Sequence, residues 1–90
     1  MNKTLNKAFQ KIESTTSCNV VDLNARQIFE LDKHCKSIPC LGQSRLGVSP
    51  IRSVYAYKTP SGVYFEFHVI AWLHPVQYVK AGVEHGLLGD

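Results

Sequence analysis

Ile51-Arg52-Ser53-Val54-Tyr55-Ala56-Tyr57-Lys58, then Thr59-Pro60-Ser61-Gly62, then Val63-Tyr64-Phe65-Glu66-Phe67-His68-Val69-Ile70-Ala71-Trp72-Leu73: this stretch decides the fold. Two runs rich in β-branched and aromatic residues flank a turn sequence. Pro60 presets the φ needed at the first central position of a type I turn, and Gly62 can take the left-handed conformation that closes a hairpin with a bulge. An antiparallel β-hairpin over about 51–73 is expected.

Side chains alternate between faces along a strand, so the register decides which residues share a side. Counting outward from a turn over Thr59 to Gly62 places Lys58 opposite Val63, Ala56 opposite Phe65 and Val54 opposite Phe67. Val54, Ala56, Val63, Phe65, Phe67, Val69 and Ala71 then form an apolar side, expected to be the core. Tyr55, Tyr57, Tyr64, Glu66, His68, Ile70 and Trp72 form the other side. In this register Arg52 falls on the apolar side opposite Val69, so either the core ends there or the register slips.

Upstream, Leu5, Ala8, Phe9 and Ile12 fall at i, i+3, i+4 and i+7, one face of an α-helix, with Lys3, Lys7 and Lys11 on a separate stripe. A short amphipathic helix from Lys3 to Glu13 follows, ended by the hydroxyl-rich Ser14-Thr15-Thr16-Ser17. Val20, Val21 and Leu23 suit a brief strand. Asn24, with Gln27 three residues on, has the spacing of a capping box ahead of a helix over Asn24 to Lys36 that carries Ala25, Ile28, Phe29, Leu31 and Cys35. Pro39 bars its continuation. From Ser37 to Pro50 no period persists, and a connection of that length in a compact domain is expected either to bind something or to contain a short strand from Leu41, Leu46 and Val48.

Downstream, His74-Pro75 is read as the start of a final helix carrying Val76, Val79, Val83 and Leu87, with Gly86 as its terminator. The expected architecture is α+β, a small single domain over residues 1–90 in which the hairpin packs against two or three short helices.

The chain has 90 residues, 44% hydrophobic and 19% charged, the composition of a folded globular protein and not of a disordered one. A domain of this size buries only about 60–65% of the surface its unfolded chain exposes, so association with another copy is a common remedy. The amino-terminal residues lack the apolar core of a signal peptide, and the run from Val63 to Leu73 is interrupted by Glu66 and His68 and too short to cross a bilayer. With three cysteines, an odd number without the density of a disulfide scaffold, the expected compartment is the cytoplasm.

Net charge is +3, and between Asp32 and Glu66 all charged residues are cationic: Lys33, Lys36, Arg45, Arg52 and Lys58. This segment, 33–58, is either ordinary solvated surface or an attractor for phosphates or an acidic partner. Tyrosine and tryptophan combine contact area with a polar tip and suit interfaces, which makes Tyr55, Tyr57, Tyr64, His68, Ile70 and Trp72 the candidate interface. Alternatively those residues are core beneath a helix of the same chain.

The leading functional expectation is a non-enzymatic cytoplasmic binding module acting by protein association, homodimeric through the hairpin. The alternative is a small nucleic-acid-binding or regulatory protein using Arg45, Arg52 and Lys58, with aromatic side chains stacking on unpaired bases. Cys18, His34, Cys35 and Cys40 supply atom types for zinc, but their spacing is not that of a knuckle and Cys35 fits an apolar helix face, so no metal or cofactor is assigned. Gly42 to Gly47 has the glycine spacing of a phosphate loop without its lysine. His68 beside Glu66, with Arg52 or Arg45 nearby, supplies the groups for a weak ribonuclease-like alternative.

Overall fold

A computed structural model describes residues 2–46, 51–71 and 76–82. In them the chain forms α1 (Lys3–Ser14), α2 (Ala25–Lys36), β1 (Gly42–Leu46), β2 (Ile51–Lys58), β3 (Tyr64–Ala71) and β4 (Val76–Ala81). The strands make one antiparallel meander in the order β1-β2-β3-β4. Both helices lie against one face of it, an α+β architecture.

Both helices form where the capping residues and the apolar period agree. The Asn2 side chain accepts from the Leu5 N–H at 3.0 Å to cap α1, which buries Ala8, Phe9 and Ile12. At α2 the capping box is complete, with the Gln27 N–H donating to Asn24 at 2.8 Å and the Asn24 N–H donating to the Gln27 side chain at 2.9 Å. Lys33, His34 and Lys36 fall in its last turn, where the helix dipole favours positive charge. Its buried face is Gln27, Leu31 and Cys35. Phe29, expected on that face, lies off it and is 57% exposed, with the Lys33 ammonium 5.0 Å from its ring centre. The helices meet edge to face through Phe9 and His34, whose ring centres are 5.3 Å apart.

The hairpin forms where expected, but its register differs by one residue. Thr59 does not belong to the loop: its N–H donates to the Val63 carbonyl at 2.8 Å, its hydroxyl accepts from the Val63 N–H at 3.1 Å, and its carbonyl accepts from the Gly62 N–H at 2.9 Å. The loop is therefore Pro60-Ser61-Gly62, with Gly62 at φ +91 supplying the bulge. Lys58 pairs with Tyr64, Tyr57 with Phe65, Tyr55 with Phe67 and Val54 with His68. A slip of one residue turns the whole of one strand over relative to its partner. Phe65 and Phe67 face the core as expected, but Tyr55 and Tyr57 join them there, while Val54 and Ala56 move to the far side. The conflict over Arg52 disappears with the slip, because it pairs with Ile70 on the far side.

The core is a single cluster of Phe9 and Ile12 from α1, Val21 from the segment between the helices, Leu31 and Cys35 from α2, and Tyr57, Phe65, Phe67, Val79 and Ala81 from the sheet. Phe65, Ile12, Leu31 and Val79 are its largest fully buried side chains.

The expected third helix is corrected. Val76–Ala81 is strand β4, paired with Phe65 to Ile70 of β3; the part of the expected helix beyond residue 82 lies outside the described residues. Val76 and Val79 satisfy a helical spacing, yet Val76, Tyr78 and Lys80 also alternate with Gln77, Val79 and Ala81, and a short segment cannot be assigned from period alone. The open side of β3 decides it, because its backbone donors and acceptors need partners. The brief strand around Val20 is a bridge to Lys80: the Cys18 N–H donates to Ala81 at 2.8 Å, the Val21 N–H to Val79 at 2.8 Å, and the Ala81 N–H to Asn19 at 3.0 Å. The strand expected within 37–50 is β1; Val48 lies outside the described residues.

Candidate functional site

Cross-strand partners share a face, so the register assigns the outer face of the sheet, away from the helices. It carries Gly42 and Ser44 of β1, Arg52, Val54, Ala56 and Lys58 of β2, Tyr64, Glu66, His68 and Ile70 of β3, and Tyr78 and Lys80 of β4. Its middle is closed to solvent: Val54, Ala56, Glu66 and His68 are all buried. Its margins are open, with Lys58 exposed and Arg52, Tyr64, Tyr78 and Lys80 half-buried.

A polar cluster occupies that middle. Glu66 and His68 stand two apart on β3, hence on the same side, and the His68 Nε2–H donates to Glu66 Oε1 at 2.8 Å. The His68 ring stacks on Tyr78, its cross-strand partner, with ring centres 4.5 Å apart and planes 16° from parallel. Burial holds the His68 imidazole below its ordinary pKa; the hydrogen bond and charge of Glu66 oppose this, and the Lys80 and Arg52 charges reinforce it. The neutral ring thus carries its proton on Nε2. Its Nδ1 is buried without a hydrogen-bond partner among the described residues. A carboxylate orienting an imidazole is the pairing a general base uses, and His68 lines neither the depression beside Gln43 nor the one beside Tyr64.

The residues proposed from sequence are therefore divided. Tyr57 is core and Tyr55 packs against it; Tyr64, His68 and Ile70 are on the outer face; Trp72 lies outside the described residues. Tyr55 and Tyr57 thus do not join Tyr64, His68 and Ile70 in one surface, because the Gly62 bulge turns β2 over. Of the cations, Arg52 and Lys58 share the outer face, with the Lys58 ammonium 4.9 Å from the Tyr64 ring centre, while Arg45 pairs with Ser53 at a helix-side position. Tyr78 and Lys80 were missed because they were read as helix. Their alternation with Gln77, Val79 and Ala81 was the available signal.

The two edges of the sheet are unequal. Residues 18–21 cover the free side of β4, whereas no described segment pairs with the far side of β1. Both hairpin strands are interior, so edge pairing through the hairpin has no free edge to use. Because Thr59 bonds to Val63, alternation directs the backbone groups of Tyr57 and Tyr55 to β3 and those of Ala56 and Val54 to β1; in turn, the backbone groups of Gln43 and Arg45 point away from β2. Beside this edge an open depression of ≈ 340 Å3 is lined by Gln43, Ser44, Ser53 and Tyr55, and Leu41 just before it is 49% exposed.

The three cysteines are free thiols. Burial, with a smaller effect of the Asp32 charge, pushes the Cys35 thiol up to about 12, so it is a protonated core residue. Among the described residues no three His, Cys, Asp or Glu side chains converge as metal ligands, and no helix is long and apolar enough to cross a membrane. Gly42 to Leu46, the bulk of the glycine-spaced segment, is extended strand and not a phosphate cradle. Comparison with family models, with curated proteins and with solved structures finds no match for the chain.

Proposed function

We propose that the protein is an association module that dimerises by antiparallel pairing of β1 with β1 of a second copy. The observation that carries this reading is the inequality of the two edges: one is covered by residues 18–21, while the other, with no described segment paired to it, presents the backbone of Gln43 and Arg45. An uncovered strand edge is a template for another strand. A twofold axis at Ser44 would set Gln43 against Arg45 of the second copy, avoiding like charges across the contact.

Magnitudes set the expected strength. Gln43 and Arg45 on both copies supply at most four backbone hydrogen bonds, each worth about 1 kcal/mol net, against an association cost of at least ~4 kcal/mol. Burial of Leu41 on each copy adds about 1–2 kcal/mol. The net, at most about 4 kcal/mol, makes the dimer weak, with a Kd of about a millimolar.

Sedimentation across a concentration series tests it. The mass should climb from one chain toward two, and Gln43→Pro, which removes an outward N–H and leaves the β1–β2 ladder intact, should hold the protein monomeric with an unchanged circular dichroism spectrum. A monomer at millimolar concentration, or a dimer indifferent to Gln43→Pro, would sink the reading.

A further inference from the structure

We infer that the open margins of the outer face are a binding surface for single-stranded nucleic acid, in which Tyr64 and Tyr78 receive bases and Arg52, Lys58 and Lys80 receive phosphates. Charge complementarity supports that occupant. Among the described strand positions of this face Arg52, Lys58 and Lys80 are cationic and Glu66 alone is acidic. Glu66 is buried and hydrogen-bonded to His68, so the solvent-facing margin of the face is cationic. The carboxylates of the helical half, Glu13, Asp22, Glu30 and Asp32, all precede the sheet and lie outside this face.

The aromatic groups meet the second requirement of a single-strand site, which is a flat apolar surface beside each charge. Tyr64 stands directly opposite Lys58, whose ammonium lies over its ring, a cation and π-face already adjacent. Tyr64 also walls a depression of ≈ 500 Å3 bounded by Ser17, Cys18, Gly62, Val63 and Gly82, room for a base beside the ring. Tyr78 is held parallel to the His68 ring, and His68 is in turn held by Glu66, so its orientation is fixed before a ligand arrives. Tyr64 and Tyr78 are separated by four residues' rise along β3, or ~14 Å, so they serve different bases of one strand. Duplexes do not fit this arrangement, because their bases are already stacked on each other.

The surface is distinct from the β1 edge, and the experiment separates the two. Fluorescence anisotropy of a labelled oligouridylate, with a duplex of the same length as comparison, reads binding directly. The single strand should bind more tightly than the duplex, with a log-log salt slope of about −2 for three phosphate contacts at ~0.7 each. Lys58→Gln should flatten that slope by ~0.7. Tyr64→Ala should lower affinity by about tenfold while preserving the melting temperature within a few degrees. Arg26→Gln, on exposed α2 surface, should change nothing, and Gln43→Pro should bind as the parent does. No saturable binding at low salt, equal affinity for the duplex, or binding untouched by both Lys58→Gln and Tyr64→Ala would overturn the assignment.

Discussion

Along β3 neighbouring residues meet opposite surroundings. Phe65 and Phe67 lie under the helices at 1% and 2% exposure, in contact with side chains that ask nothing of them but shape. Glu66 and His68, pointing the other way from the same strand, are almost as buried but polar, and are stabilised by each other. The inner face gains from transfer of apolar area out of water, whereas the outer face must satisfy each donor and acceptor it hides. Aromatic packing is therefore concentrated on one face and buried polar pairing on the other, and the register of a single hairpin decides which side chains belong to which.

Truncation at the two faces should separate them most sharply. Phe65→Ala should cost about 3–5 kcal/mol in urea unfolding, since it removes a fully buried ring from the centre of the core. Tyr64→Ala, one residue away on the outer margin, should cost less than about 1 kcal/mol. Equal costs would mean that the outer face is also a packed core. Next in size, Glu66→Ala should cost about 1–3 kcal/mol, because the buried Nε2–H of His68 loses its acceptor. Replacing Glu66 and His68 together by leucine should cost less than that single change, since the His68 Nε2–H that lost its acceptor is itself removed. A double variant that is worse than the single one would show that the pair contributes more than mutual satisfaction.

How far the sequence discloses this division depends on which signals are local. The helices are legible because Asn2 or Asn24 caps them and the apolar residues recur at helical spacing within one segment. The hairpin is legible because Pro60 and Gly62 act on their own backbone. Its register is not, since it turns on whether Thr59 belongs to the strand or to the loop, settled by three hydrogen bonds that residue makes to Val63 and Gly62. β4 is less legible still: Val76 and Val79 fit two periods, and only the unpaired side of β3 selects one. Of the outer face, Arg52, Lys58, Tyr64, His68 and Ile70 are site candidates from the sequence, but Tyr78 and Lys80 join it only once β4 exists.

The two positive-φ glycines among the described residues offer a finer comparison. Gly62, at the hairpin bulge, has open space where a Cβ would be, so Gly62→Ala should lose only the conformational cost of about 1–2 kcal/mol. Gly82, just past β4 at φ +56, would bring its Cβ to 2.6 Å from the Ser17 hydroxyl and 3.2 Å from the Ser17 Cα. Rotating the hydroxyl away relieves only the first contact, and the backbone at Ser17 must also yield. Gly82→Ala should therefore be the more destabilising of the two by thermal melting, and it should loosen the 18–21 segment from β4. Amide exchange at Val21, whose N–H donates to Val79, reads that loosening.

The smallest effect expected is the pH response of the outer face, and its sign follows from His68. Burial lowers its folded pKa from the ordinary 6.5, so over the interval below 6.5 the unfolded chain takes up a proton that the folded chain refuses. Folding stability contributed by the neutral ring is complete above 6.5, declines as pH falls from there toward the folded value, and declines no further beneath it. The groups that face the ring act against one another: Glu66 on β3 favours the imidazolium, Lys80 on β4 and Arg52 on β2 oppose it, and Tyr78 stacks on it. Urea midpoints measured from about pH 8 to 5 should fall for the parent protein and flatten for His68→Leu, the difference between the two curves removing every other titration. A parent curve that rises on acidification relative to His68→Leu would mean that Glu66 outweighs burial, and that the folded face holds a charged imidazolium with a proton on Nδ1.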